Sequence, residues 1–152
     1  MKVLLGFLIV GIGAILGLIL STKYSERKKF YQDFNAFNKS FKSEIAFSKN
    51  TLKDVLQNNR ENNSDFYQLL NNKFSDGRIK LEYLIDDEKT FVNNYIQMIG
   101  KTDAISQLKY LESTDDYIKD KLKESIEKHN KYKALYVKMG VLIGLIIYIA
   151  IL

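Results

Sequence analysis

One histidine, two acidic clusters and two glycine motifs are the residues of this chain whose types invite a chemical reading. His129 is the sole imidazole. Acid–base catalysis would need it within hydrogen-bond reach of the group it serves. The sequence supplies no obvious nucleophile or metal set around it, so packing or an interfacial position is the expected role. Asp86-Asp87-Glu88 and Asp115-Asp116 could exchange protons usefully only in a pocket that shifts their pKa values. The first cluster sits at a predicted helix start, where carboxylates complement the helix dipole. Gly11-x-Gly13 resembles a dinucleotide loop, but the third glycine comes one residue late and no strand precedes it. Gly100-Lys101-Thr102 resembles the end of a phosphate loop, but that motif needs a glycine where Tyr95 stands. With no Cys, thiolate nucleophiles, disulfides and Cys-ligated zinc are excluded. No catalytic, cofactor or metal site is expected, and the chain reads as non-enzymatic.

The elements that must carry these residues are helices. The 152 residues contain no Pro, which permits long unbroken helices. No strand pattern of comparable strength appears. The net charge is +5, but Lys, Glu and Asp are interleaved through the middle of the chain. Nucleic-acid binding would favour a stripe of one sign, so none is expected.

Apolar residues concentrate at the two ends. Val3 to Leu20 holds no charged or strongly polar residue and is flanked by Lys2 and Lys23. As a helix it reaches about 27 Å, close to the ~30 Å hydrocarbon core of a bilayer. A cleaved signal peptide is the rival reading, but Leu18-Ile19-Leu20-Ser21-Thr22-Lys23 lacks an Ala-x-Ala exit. Met139 to Leu152 alone spans only about 21 Å. Extension back through Ala134–Val137, with Lys138 reaching the headgroups, makes a crossing, and Tyr132 and Tyr136 then lie in the interfacial belt; the rival reading is a terminal helix that only dips into the bilayer. Gly13 with Gly17, and Gly140 with Gly144, are small-xxx-small pairs that let membrane helices approach closely. They would pack on each other or on another membrane protein, a homo-oligomer included. Lys23, Arg27, Lys28 and Lys29 follow the first apolar block, and Lys128, Lys131, Lys133 and Lys138 lead into the second. The positive-inside rule places the middle region in the cytoplasm and both termini outside. These cations also suit anionic headgroups, at roughly 1 kcal/mol each near the surface. The expected organisation is an anchor over 1–22, a cytoplasmic helical bundle over 23–136 and a second membrane segment over 137–152.

In the middle, Phe30, Phe34, Phe37, Phe41 and Ile45 recur at helical spacing and predict one buried aromatic face. A break is expected near Ser48 to Thr51, where Thr51 and Asp54 form a capping box for a short helix through Leu52, Val55 and Leu56. Asn58–Ser64 reads as a loop, and Ser64 as the cap of a helix bearing Phe66, Leu69, Leu70 and Phe74. Ser75-Asp76-Gly77 is a turn, followed by helical patterns through Ile79, Tyr83 and Leu84, and from Asp87 to Gly100. Thr102 or Asp103 caps the last and longest helix. Its pattern of Ile105, Leu108, Leu111, Ile118, Leu122, Ile126, His129 and Tyr132 has no breaker before Gly140. The first and last long helices are expected to pack antiparallel, with the short helices completing an all-α bundle.

Several local sequences resemble one family. They are Tyr24-Ser25-Glu26-Arg27 after the first apolar block, Ser43-Glu44-Ile45-Ala46-Phe47 followed by Thr51-Leu52, and Ile99-Gly100-Lys101-Thr102-Asp103-Ala104-Ile105-Ser106-Gln107 opening the last helix. The closing segment after Lys138-Met139-Gly140 agrees in position. Together they resemble the stage III sporulation protein AB family across nearly the whole chain. Asn50-Thr51-Leu52 replaces the family's Thr-Pro-Leu, and Ile96 stands where a glycine is expected. The resemblance implies a bundle similar to the cytoplasmic domain of the platform protein of type II secretion and type IV pilus systems. It implies a place in the membrane around the forespore, facing the mother-cell cytoplasm. The implied partners are the sporulation ATPase, stage III sporulation protein AA, and sibling channel proteins. Tyr24, Arg27, Glu44, Gly100, Asp103 and Gln107 would be structural or partner contacts. The alternatives are a scaffold of another secretion or pilus assembly, and a secreted helical binding module.

Overall fold

A computed structural model describes residues 2–48, 52–58, 64–72 and 81–151. Five α-helices account for most of them: α1 Lys2–Ser43, α2 Leu52–Asn58, α3 Asp65–Asn71, α4 Asp86–Met98 and α5 Ala104–Ile151. A π-helical turn, Glu44–Ser48, follows α1. Among the described residues there is no strand, and the all-α class read from the sequence is what the chain adopts. Two compact units result, Met1–Lys28 with Glu124–Leu152, and Lys29–Lys123.

The Lys29–Lys123 unit is built on the predicted aromatic face. Phe30, Phe34, Phe37, Phe41 and Ile45 are all buried. A fully buried Phe contributes about 1.5–3 kcal/mol by leaving water. Phe66 of α3 is the hub that this face packs on. Its ring stacks on Phe34 at 4.6 Å and meets Phe30 edge-on at 5.6 Å. From α4, Tyr95 closes on Phe34 at 4.6 Å in a T-shape. Val92, Ile96 and Ile99 of the α4 region, with Leu111 and Ile118 of α5, complete the core.

Several expectations shift. The first helical run reaches Ser48, at the expected break, but its last stretch, Glu44–Ser48, takes wider π-type winding. Leu84, with Tyr83 read as helical, lies in a turn closed by the Leu84 N–H on the Leu81 carbonyl at 3.2 Å. That turn buries Leu81 and Leu84, and the helix starts after it, at Asp86. On α5, Ile105 is 80% exposed. It lies two residues before buried Gln107, ~200° round the helix from the face that Gln107, Leu111, Thr114 and Ile118 present. Ile126 is exposed while its neighbour Ser125 is buried. Small polar side chains therefore take inward positions that an apolar pattern assigns elsewhere. Ser64 does occupy the N-cap position of α3, and its carbonyl accepts the Gln68 N–H at 2.9 Å. The Thr51 capping box, the interior of the 58–64 loop, Phe74, the Ser75-Asp76-Gly77 turn and Ile79 lie outside the described residues.

In the other unit, the start of α1 pairs with the end of α5. Tyr24 stacks on Tyr132, Gly17 approaches Tyr136 and Val137, Gly13 approaches Gly140, and Val10 approaches Gly144. Each advance along α1 meets a retreat along α5, so the pair is antiparallel. Both helices are long and apolar enough to cross a membrane. Only 17% of the most apolar stretch of α1 and 6% of that of α5 is buried within the protein. The remaining apolar surface suits lipid, and the chain is membrane-associated.

Candidate functional site

The residues singled out in the sequence fall into three places. The first is the turn between α4 and α5. α4 ends at Met98, and Gly100 follows with φ +72°, the left-handed geometry that favours glycine after a helix. A side chain there would also crowd Leu52, whose Cδ2 lies 2.8 Å from where a Cβ would stand. Asp103, not Thr102, caps α5. Its Oδ1 accepts the N–H groups of Ile105 and Ser106, each at 3.1 Å. Hydrogen bonds from the Ser106 side chain and backbone hold its carboxyl below the usual range. Gln107 reaches back from the first turn of α5, and its Oε1 accepts the Gly100 N–H at 2.7 Å. Gly100, Asp103 and Gln107 are thus one device that fixes where α5 begins. Lys101, Thr102 and Ile105 are exposed on it.

The second place lies in the same unit, and its centre, Asn38, was not read from the sequence, although Asp115 and Glu88 belong to the two acidic clusters. Asn38 is fully buried, and both ends of its amide are used. Its Nδ2 donates to the Leu111 carbonyl at 3.3 Å and to Asp115 Oδ1 at 3.2 Å. Its Oδ1 accepts the Tyr95 hydroxyl at 2.9 Å. One side chain therefore ties α1 to both α4 and α5. Asp115 in turn meets Lys119 at 2.6 Å and Lys42 at 3.9 Å. Burial pushes its carboxyl up, but the Lys119 contact, with Lys42 and Asn38, leaves it below the ordinary range. Glu88 is likewise fully buried. Its Oε2 accepts the Ile85 N–H at 3.4 Å, and its Oε1 pairs with Lys121 at 3.4 Å. Buried carboxylates are rare unless paired, and the sequence shows Glu88 and Asp115 in acidic clusters without showing their partners. Glu44 opens the π-helical turn and is half-buried.

The third place is the antiparallel pair of the Met1–Lys28 and Glu124–Leu152 unit. A Cβ on Gly17 would lie 2.9 Å from the Tyr136 carbonyl carbon, and one on Gly140 2.8 Å from that of Gly13. A Cβ on Gly144 would lie 2.9 Å from Val10 Cα. All four glycines stand where backbone meets backbone, while Gly11 faces open space. Beyond them Tyr24 stacks on Tyr132 with centroids 4.5 Å apart, and lies 6.2 Å from Tyr136. Arg27 is buried and pairs with Glu124 at 3.4 Å, and Glu124 also takes Lys128 at 2.6 Å. His129 is buried here too.

These arrangements position helices and bury charge in satisfied pairs. Among the described residues no group of three or more His, Cys, Asp or Glu could hold a metal ion. A family model described as stage III sporulation protein AB matches residues 57–152, which include the α4–α5 turn and all of α5. Tyr24–Arg27 and Ser43–Phe47 precede the matched stretch. No curated protein and no solved structure matches the chain.

Proposed function

Since the chain belongs to the stage III sporulation protein AB family, we propose that it is a non-enzymatic platform in a secretion-like channel between mother cell and forespore. Its middle region faces the mother-cell cytoplasm and docks the sporulation ATPase, stage III sporulation protein AA, beside sibling channel proteins. The family match over 57–152 is the observation that carries this reading. Chemistry belongs to the ATPase, and this chain holds it at the membrane. Arg27, buried against Glu124, serves the helix pair, whereas the exposed Lys101 and Ile105 are free to meet a partner at the α4–α5 turn. Neither side chain takes part in the cap or in the Gly100–Gln107 contact, so both can change without unmaking the turn.

Co-production of the ATPase with the full chain tests this. The ATPase should move from the soluble to the membrane fraction, and Lys101→Glu combined with Ile105→Glu should return most of it to the soluble fraction. Membrane recruitment unchanged by the double variant would refute the docking surface. No recruitment by the unaltered chain would refute the platform role.

A further inference from the structure

The charge of this molecule has a definite address. Residues 21–29 and 124–138 carry eight Lys or Arg against three Glu, an excess equal to the +5 of the whole chain. Within the unit formed by Met1–Lys28 and Glu124–Leu152, the carboxylate of Glu124 is occupied by Arg27 and Lys128. Lys28 and Lys133 have no carboxylate within ion-pair distance among the described residues. Both nonetheless press electrostatically on one buried ring, His129. Lys28 comes from α1, and Lys133 stands one turn beyond His129 on α5. The imidazole is 9% exposed, and its Nδ1 has no hydrogen-bond partner among the described residues. Burial first, and then the two ammonium groups, hold this histidine below its ordinary range. A buried polar atom without a partner is costly, and the half-buried Lys28 and exposed Lys133 beside it leave room for an anion to complete the set.

The surroundings select the anion. Tyr24, Tyr132 and Tyr136 form a stacked group in the same unit, and Lys23 and Lys131 lie over the rings of Tyr24 and Tyr132. Aromatic rings beside lysines at the end of apolar helices are what headgroup depth favours. We propose that Lys28, His129 and Lys133 form a binding site for the phosphate of an anionic phospholipid headgroup, with His129 donating from Nδ1. Binding favours proton uptake by the ring, because the phosphate's negative charge stabilises the imidazolium and offsets the two lysines that oppose it. Headgroup affinity therefore rises as pH falls through the range of the free ring. Of the other charges of this helix pair, Arg27, Glu124 and Lys128 are engaged with one another, Lys23 and Lys131 lie over tyrosine rings, and Glu26, Glu127 and Lys138 are exposed. The site rests on the membrane anchoring of α1 and α5 and is independent of any docked ATPase.

His129 is the sole histidine, so its ring can be titrated by NMR in the full chain in neutral detergent micelles. The midpoint should lie below the ordinary ~6.5. Phosphatidylglycerol in the micelle should raise it by about one pH unit, a tenfold gain in proton affinity, and phosphatidylcholine should not. Lys23→Gln with Lys138→Gln should keep the rise, and Lys28→Gln with Lys133→Gln should abolish it. A rise that survives in the second pair would mean diffuse surface charge and overturn the site. An equal rise with millimolar inorganic phosphate would mean a soluble ligand and overturn the lipid assignment.

Discussion

Asn38 shows at the residue scale how this protein uses polarity. A helix interior normally gains nothing from Asn, whose side chain competes for backbone groups. Here the competition is put to use, because the amide takes the Leu111 carbonyl and the Tyr95 hydroxyl, groups on two other helices. Asn38→Ala would leave the Tyr95 hydroxyl buried without that acceptor, and should cost about 2–3 kcal/mol. Tyr95→Phe removes the donor with its bond and should cost about 1 kcal/mol. Because the two changes delete the same hydrogen bond, the double variant should fall short of the summed losses. Unfolding of the full chain in neutral micelles measures all three. Strict additivity would show that the bond contributes nothing to the fold.

At the scale of elements, what was legible was whatever repeated. The aromatic stripe of α1 and the length of α5 both come from apolar residues at helical spacing, and both appear where that spacing puts them. Ile105 and Ile126 break the pattern because the buried face of α5 includes Gln107, Thr114, Ser125 and His129. His129 is part of the sequence pattern, but Gln107, Thr114 and Ser125 are polar, and hydrophobicity does not register them. The π-helical winding after Ser43 likewise has no periodic signature. The glycine pairs were visible as spacing, but which partner they faced was not, since lipid-exposed and helix-facing glycines look alike in sequence. The contrast between Gly13 and Gly11 makes that distinction testable. With no native cysteine, cysteines replacing Tyr24 and Tyr132 can be joined within one chain by a short bis-maleimide. Gly13→Leu drives a side chain into the Gly140 backbone and should reduce that cross-linking several-fold. Gly11→Leu enters open space and should leave it unchanged. Equal effects of the two would mean that the glycine face does not hold α1 to α5.

For the whole molecule, the decisive feature is the division of labour along two long helices. Their apolar stretches suit the bilayer, and the described parts of Lys29–Lys123 form an aromatic core locked by Asn38 and by the Glu88–Lys121 pair. The α4–α5 turn, the Asn38 network and the Arg27–Glu124 pair each hold helices together. The family match gives the chain its setting in sporulation. The role proposed for it depends on company, and so does its most direct test. That test is reciprocal affinity capture of the full chain from sporulating cells in mild detergent, with partners identified by mass spectrometry. The account predicts recovery of the sporulation ATPase and sibling channel proteins, and recovery of this chain when the ATPase is the bait. Clean capture of this chain without them, from cells that make them, would contradict it.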